Sequence, residues 1–275
     1  MKLKTIFMIA VIAVLSIWAL KPSDQYQMTL MATTTTQDSG LLDILIPAME
    51  KDTGLKIKVI AFGTGKVLRS AMDGNADIIF VHDPVAEKQF MDNGYGKIRI
   101  PFIQNDFIIV GPADDPANVA KSKSASEAFT AIQKSQIPFV SRGDESGTHN
   151  AELRIWETAG LNIEDFTNEK YVITGSGMGR TLGVATEKNG YVLTDKATWL
   201  SYQNKEGLMI LFEQDPLLEN IYSFISVNPN LFDHISDENQ QIIMNWITSP
   251  AALNTIKHFK ISGIQPFLPI NPAMQ

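Results

Sequence analysis

The chain has 275 residues, 44% of them hydrophobic, a formal charge of −7 and no cysteine. That apolar content is enough for one large or two modest domains, each with its own core. The acidic balance argues against nucleic acid, which needs a basic face. The absence of cysteine excludes disulfides, thiolate metal sites, a cysteine nucleophile and lipid attachment through an N-terminal cysteine.

In chain order, Lys2 and Lys4 precede an apolar run over 6–20, the pattern of a secretory signal peptide, expected at 1–22. Ile17-Trp18-Ala19 is not a small-x-small cleavage pattern, so an uncleaved N-terminal anchor stays open. Residues 26–31 read as a strand that enters Ala32 and four threonines, Thr33 to Thr36, then Gln37-Asp38-Ser39-Gly40. The threonines disfavour helix and supply hydroxyl donors. Leu41, Leu42, Leu45, Ile46 and Met49 then recur at helical spacing up to a glycine C-cap at Gly54. A strand is predicted at 56–61, followed by Gly63-Thr64-Gly65-Lys66 and a helix carrying Val67, Leu68, Ala71 and Met72. The loop resembles the end of a P-loop, but Ile60 stands where the first glycine belongs and Val67 replaces the magnesium-holding hydroxyl. A nucleoside triphosphatase is rejected, and a glycine loop entering a helix survives. A strand at 76–81 ends at His82-Asp83-Pro84 ahead of a helix at 86–91. His82 reads as a structural histidine, with no partner at metal-binding spacing. After a strand at 107–110, Gly111 to Pro116 read as punctuation between domains, and 121–134 as a surface helix.

The stretch Pro138-Phe-Val-Ser-Arg-Gly-Asp-Glu-Ser-Gly-Thr148 is strand, tight loop and helix start, with Leu153, Trp156 and Glu157 at helical spacing beyond it. At such a junction the N–H groups of Ser146, Gly147 and Thr148 sit at the positive end of the helix dipole, a site for an anion. Arg142 adds a full charge, and Ser141, Ser146 and Thr148 add hydroxyls. An ordinary N-cap with Arg142 in a surface ion pair stays open. A strand at 171–174 leads into Gly175-Ser176-Gly177-Met178-Gly179-Arg180. Arg180 stands where a dinucleotide fingerprint needs glycine. Leu182, Val184 and Ala185 continue as helix. Further elements are predicted at 190–195 (strand and turn), 198–202 (helix), 208–212 and 222–227 (strands), and 240–246 and 249–259 (helices). Strands alternating with helices predict an α/β architecture with mainly parallel sheets.

Four hydroxyl- or glycine-rich loops at strand-to-helix junctions, spread over two halves, fit ligand binding at the carboxyl ends of strands in a shared cleft. The set Thr33-Thr-Thr-Thr36-Gln-Asp-Ser-Gly40, Gly63-Thr64-Gly65, Val81-His82-Asp83-Pro84, Asn105-Asp106-Phe107, Ser141-Arg142-Gly143-Asp144-x-Ser146-Gly147-Thr148 and Thr174-Gly175-x-Gly177-Met178-Gly179 resembles the tungstate-binding proteins of bacterial ABC importers. The resemblance runs from about Leu30 to about Phe267. It implies the type II periplasmic binding protein fold, two α/β lobes joined by a two-strand hinge, with a tetrahedral oxyanion between them.

Carried over by position, Arg142 and Thr148 match second-lobe ligands, while Thr34 or Thr35 and Thr64 match first-lobe hydroxyl ligands. Gly65, Ser146, Gly147, Ser176 and Gly177 complete the candidate ligand-binding set. Ala32 and Thr35 depart from the family's usual first loop, so the direct ligand among Thr33 to Thr36 stays open. The resemblance further implies a monomeric periplasmic protein working with membrane permease and ATPase subunits, without metal or cofactor. Lobes are expected at 28–107 plus 223–275 and at 108–222, from the Gly111-Pro112 punctuation and the return strand at 222–227. Two alternatives stay open. One is a phosphate receptor of the same fold, in which Asp144 or Asp83 accepts the anion's proton. The other is a hydrolase using Asp144, Ser146 and His149, although three triad members within six residues align poorly and no G-x-S-x-G elbow is present.

Overall fold

The computed structural model describes residues 26–135, 137–166 and 169–270; the expected signal peptide lies outside them. The chain first lays down β1 (Met28–Thr33), α1 (Thr34–Asp38), α2 (Leu41–Thr53), β2 (Ile57–Phe62), α3 (Thr64–Met72), β3 (Ile78–Val81), α4 (Pro84–Asp92) and β4 (Gly96–Gln104). It crosses at Asn105-Asp106 into β5 (Phe107–Pro112), α5 (Ala125–Lys134), β6 (Phe139–Ser141), α6 (Gly147–Thr158), β7 (Tyr171–Ile173), α7 (Met178–Lys188), β8 (Val192–Asp195), α8 (Lys196–Ser201) and β9 (Leu208–Phe212). It returns through 213–220 to β10 (Ile221–Val227), α9 (Asp237–Ile247), α10 (Pro250–His258) and β11 (Leu268–Pro269).

The first sheet has the order β11-β4-β10-β3-β1-β2. Its β1 pairs in parallel with β2 and β3, whereas β10 runs antiparallel to both β3 and β4. In the second half, β5 lies antiparallel between β8 and β9, and β6 pairs in parallel with β7. Tyr191 joins these pieces: it bridges Phe139, accepts from Val140 N–H at 2.8 Å and donates to the Pro138 carbonyl at 2.9 Å. The second sheet therefore reads β7-β6-β8-β5-β9, the same spatial order as β2-β1-β3-β10-β4. In each, the fourth strand has arrived from the other half and runs against its neighbours. This corrects the expectation of mainly parallel sheets, because the two crossing strands make both sheets mixed.

Both faces of each sheet are covered. Leu30, Phe80, Phe224 and Trp246 pack on one face of the first and Met31, Val67, Ile79 and Phe90 on the other; Phe129, Phe139 and Trp156 back the second, with Ile108, Leu182 and Trp199 opposite. Strands buried on two faces cannot alternate, and β3 is buried throughout.

Three local expectations change. The threonine run is not all loop: α1 forms there, with Thr36 Oγ1 donating to the Thr33 carbonyl at 2.8 Å, the back-bond by which threonine tolerates a helical turn. Gly111-Pro112 is not a linker but the end of β5, paired with Leu208 and Met209. A Cβ on Gly111 would lie 2.3 Å from the Tyr191 ring, so glycine is present there for packing. Residues 96–104 form the unpredicted β4; Pro101 is tolerated because it falls at a register shift opposite Ser223.

Candidate functional site

The loops after β2 and β3 meet the loop between β6 and α6 and the helix that follows it, while the helical turn after β1 packs on α8. Thr64 opens α3 and is buried at 1% exposure; its Oγ1 has no hydrogen-bond partner among the described residues. Gly65 follows in the same turn, where a Cβ would meet the Glu145 carbonyl of the facing loop at 3.3 Å. At the end of β1, Thr33 is also buried with an unpartnered Oγ1. Thr34 is half-buried and Thr35 buried, and the Thr36 hydroxyl is used inside α1. Thr33 therefore joins Thr34 and Thr35 as a candidate donor, since nothing in a run of identical residues separates them.

From the second lobe, Arg142 is 4% exposed; its Nη2 donates to Asp144 at 2.6 Å and its Nε has no partner among the described residues. Thr148 is buried, again with an unpartnered Oγ1. Among the described residues nine buried side-chain polar atoms lack a partner, and four of them are donors at these strand-to-helix junctions, where a ligand with acceptor atoms would satisfy them. Gly147 and Thr148 occupy the first turn of α6, where N–H groups have no intrahelical acceptor. Ser146 is different. Its N–H donates to Asp144 Oδ1 at 3.2 Å, and its Oγ accepts from His149 N–H at 3.3 Å. This corrects the expectation of three free N–H groups: the Ser146 N–H is taken by Asp144, leaving those of Gly147 and Thr148, while the Ser146 hydroxyl accepts as a cap and keeps its own proton to donate. The Thr174 N–H and hydroxyl donate to the Ser141 carbonyl, so the fourth loop braces the Arg142 loop. In that loop Ser176 donates to the Thr174 carbonyl at 3.0 Å, and Gly177 is exposed.

Electrostatics follow from burial. His82, at the end of β3, is held well below its ordinary pKa, at about 4, chiefly by burial; its Nδ1 lies 2.8 Å from Asn220 Oδ1, and its ring stacks on Tyr222 at 4.4 Å. It is a neutral imidazole donating to the crossing segment, in line with the structural reading. Behind the Arg142 loop, Glu152 is buried and accepts from Tyr171 OH and Trp156 Nε1, and burial pushes its carboxyl up to about 7. The hydrolase constellation is not assembled: Ser146 Oγ meets the His149 backbone, and the His149 Nδ1 accepts from Glu145 N–H at 3.2 Å.

Two mixed α/β sheets of matching strand order, crossed twice by the chain and meeting at donor-lined loops, define a periplasmic binding protein. A family model described as the PBP superfamily domain matches residues 21–250. The tungstate-binding protein TupA of Peptoclostridium acidaminophilum is 40% identical over 84% of this chain and 80% of its own. The solved tungstate binding protein TupA of Desulfovibrio alaskensis is 42% identical, with a TM-score of 0.76 over 89% of this chain and 98% of that one. The solved tungstate ABC transporter structure from Geobacter sulfurreducens is 39% identical, with a TM-score of 0.75 over 84% and 98%. The chain belongs to the TupA family of periplasmic binding proteins.

Proposed function

We propose that the protein is the substrate-binding component of an ABC importer and captures tungstate, or molybdate, as a tetrahedral oxyanion between its lobes. The single observation that carries this is the set of buried, partnerless donors, Thr33 Oγ1, Thr64 Oγ1, Thr148 Oγ1 and Arg142 Nε, on loops from both sheets. An unprotonated tetraoxoanion offers only acceptors and suits such a set. The phosphate alternative needs an acceptor for a proton. Asp144 already accepts on both oxygens within its own loop, and Asp83 accepts from Asn150 at 2.6 Å and from the first turn of α4. The lobes acting in capture are residues 28–107 plus 223–275 and 108–222. The protein binds and hands on its ligand without turning it over. It works as a monomer in the periplasm, exported by its N-terminal segment, and delivers to permease and ATPase subunits.

Selectivity against sulfate rests on size: each buried donor left short of a smaller anion forfeits roughly 1–3 kcal/mol. Tungstate and molybdate are too alike in size for that argument to separate them. Calorimetric titration with tungstate, molybdate, sulfate and phosphate tests the reading. Tight binding of the first two and displacement by neither of the others is expected; displacement of tungstate by equimolar sulfate refutes it.

A further inference from the structure

The motif His82-Asp83 is outside the proposed set of anion donors, yet its two side chains reach the other lobe. The hydrogen on Gly147 that faces His82 is all that fits there, since a Cβ would lie 2.7 Å from the ring. Asp83 Oδ2 accepts from Asn150 Nδ2 at 2.6 Å, and Oδ1 faces Arg154 Nη1 at 3.4 Å. Asp83 also caps α4 through Val85 and Ala86 N–H, so its carboxylate is anchored before it meets the second lobe. Gly147, Asn150 and Arg154 stand at i, i+3 and i+7 of α6, one stripe of that helix. Away from the crossing segments, the described residues show one other side-chain bond between lobes, the exposed Arg69–Glu145 pair at 3.3 Å, and Glu145 lies two residues before α6. The element that presents Gly147 and Thr148 to the anion is therefore the element the first lobe grips.

We propose that His82-Asp83 and the Gly147, Asn150 and Arg154 stripe form a clasp that sets how long the anion is retained, separately from the groups that recognise it. This rests on the oxyanion reading above. The two classes of group divide the kinetics: recognition groups decide which anion binds, and the clasp decides how often the lobes part.

The test uses Asn150→Ala, Arg154→Gln and the double variant, which leave the α4 cap and every proposed anion donor in place. The absence of natural cysteine permits spin labels at Lys58→Cys and Lys188→Cys, exposed positions on the two lobes. Distances are measured by pulsed electron resonance, and tungstate dissociation by stopped-flow fluorescence. We expect longer inter-lobe distances in the double variant and dissociation faster by about 10-fold, with association within about twofold and the tungstate-to-sulfate preference unchanged. Unchanged distances and dissociation overturn the clasp, as does a changed anion preference, which would place these side chains in recognition. If the wild type binds none of the four oxyanions, the oxyanion reading falls. The distances of the free proteins then decide the clasp alone, and identical distributions overturn it.

Discussion

Gly147→Ala tests whether the lobes must close as tightly as the structure shows. The added Cβ would lie 2.7, 2.8 and 3.0 Å from Cε1, Nε2 and Nδ1 of His82, against an ordinary contact of about 3.5–4.0 Å. The ring cannot retreat, being held by Asn220 at 2.8 Å and stacked on Tyr222. The lobes must therefore part by roughly 0.7–1 Å, which lengthens hydrogen bonds of about 2.8 Å beyond useful range. Losing one or two donors to the anion costs about 2–4 kcal/mol, roughly 30- to 1,000-fold in Kd. No donor is deleted, and Gly147 is the first residue of α6 with an ordinary helical backbone that alanine also adopts, so the fold itself should not suffer. Calorimetry on Gly147→Ala, His82→Ala and the double variant completes a cycle. The alanine should be far less damaging once the ring is gone. Wild-type affinity for Gly147→Ala, or an equal loss in both backgrounds, refutes the reasoning.

Arg142→Gln, which removes the buried charge from the site, should cost about 2–5 kcal/mol of tungstate affinity and exceed the loss from Thr64→Ala; comparable losses in titration would show the charge to be misplaced. Thr33→Val should weaken binding about as much as Thr64→Val, while Thr36→Val should lower the melting temperature more than affinity, because its hydroxyl closes α1. Glu152→Gln should change the pH dependence of stability. Burial pushes the folded carboxyl up to about 7 from an ordinary 4.5, so its favourable contribution is full below about pH 4.5 and is lost as pH rises through 7. Melting curves at pH 5 and pH 8 should therefore show the variant gaining on the wild type at the higher pH, by about 3 kcal/mol at most; a gain at pH 5 instead would reverse the assignment.

Much of this protein is local in origin and so legible in the chain. The apolar spacing of Leu41 to Met49 made α2 predictable, the β-branched run at 56–61 made β2 so, and hydroxyls and glycines before helical runs marked Thr64 and the loop from Ser141 to Thr148. Each depends on neighbours within a few residues, where period and dipole act directly. Other features required chain segments far apart to meet. The entry of β5 and β10 antiparallel into sheets laid down by the other half, the joining of β6 to β8 through Tyr191, and the burial of Gly111 against that ring depend on partners about 50–150 residues away. So does the state of the threonine hydroxyls, since only the folded structure buries that of Thr33 without a partner while α1 occupies that of Thr36. The Ser146 N–H was expected to be free for a different reason, as nearby Asp144 takes it only in the loop's folded geometry. The sequence marked hydroxyls and glycines at helix starts because that chemistry is local, and the fold decided which donors stay without a partner because burial and hydrogen-bond geometry are not.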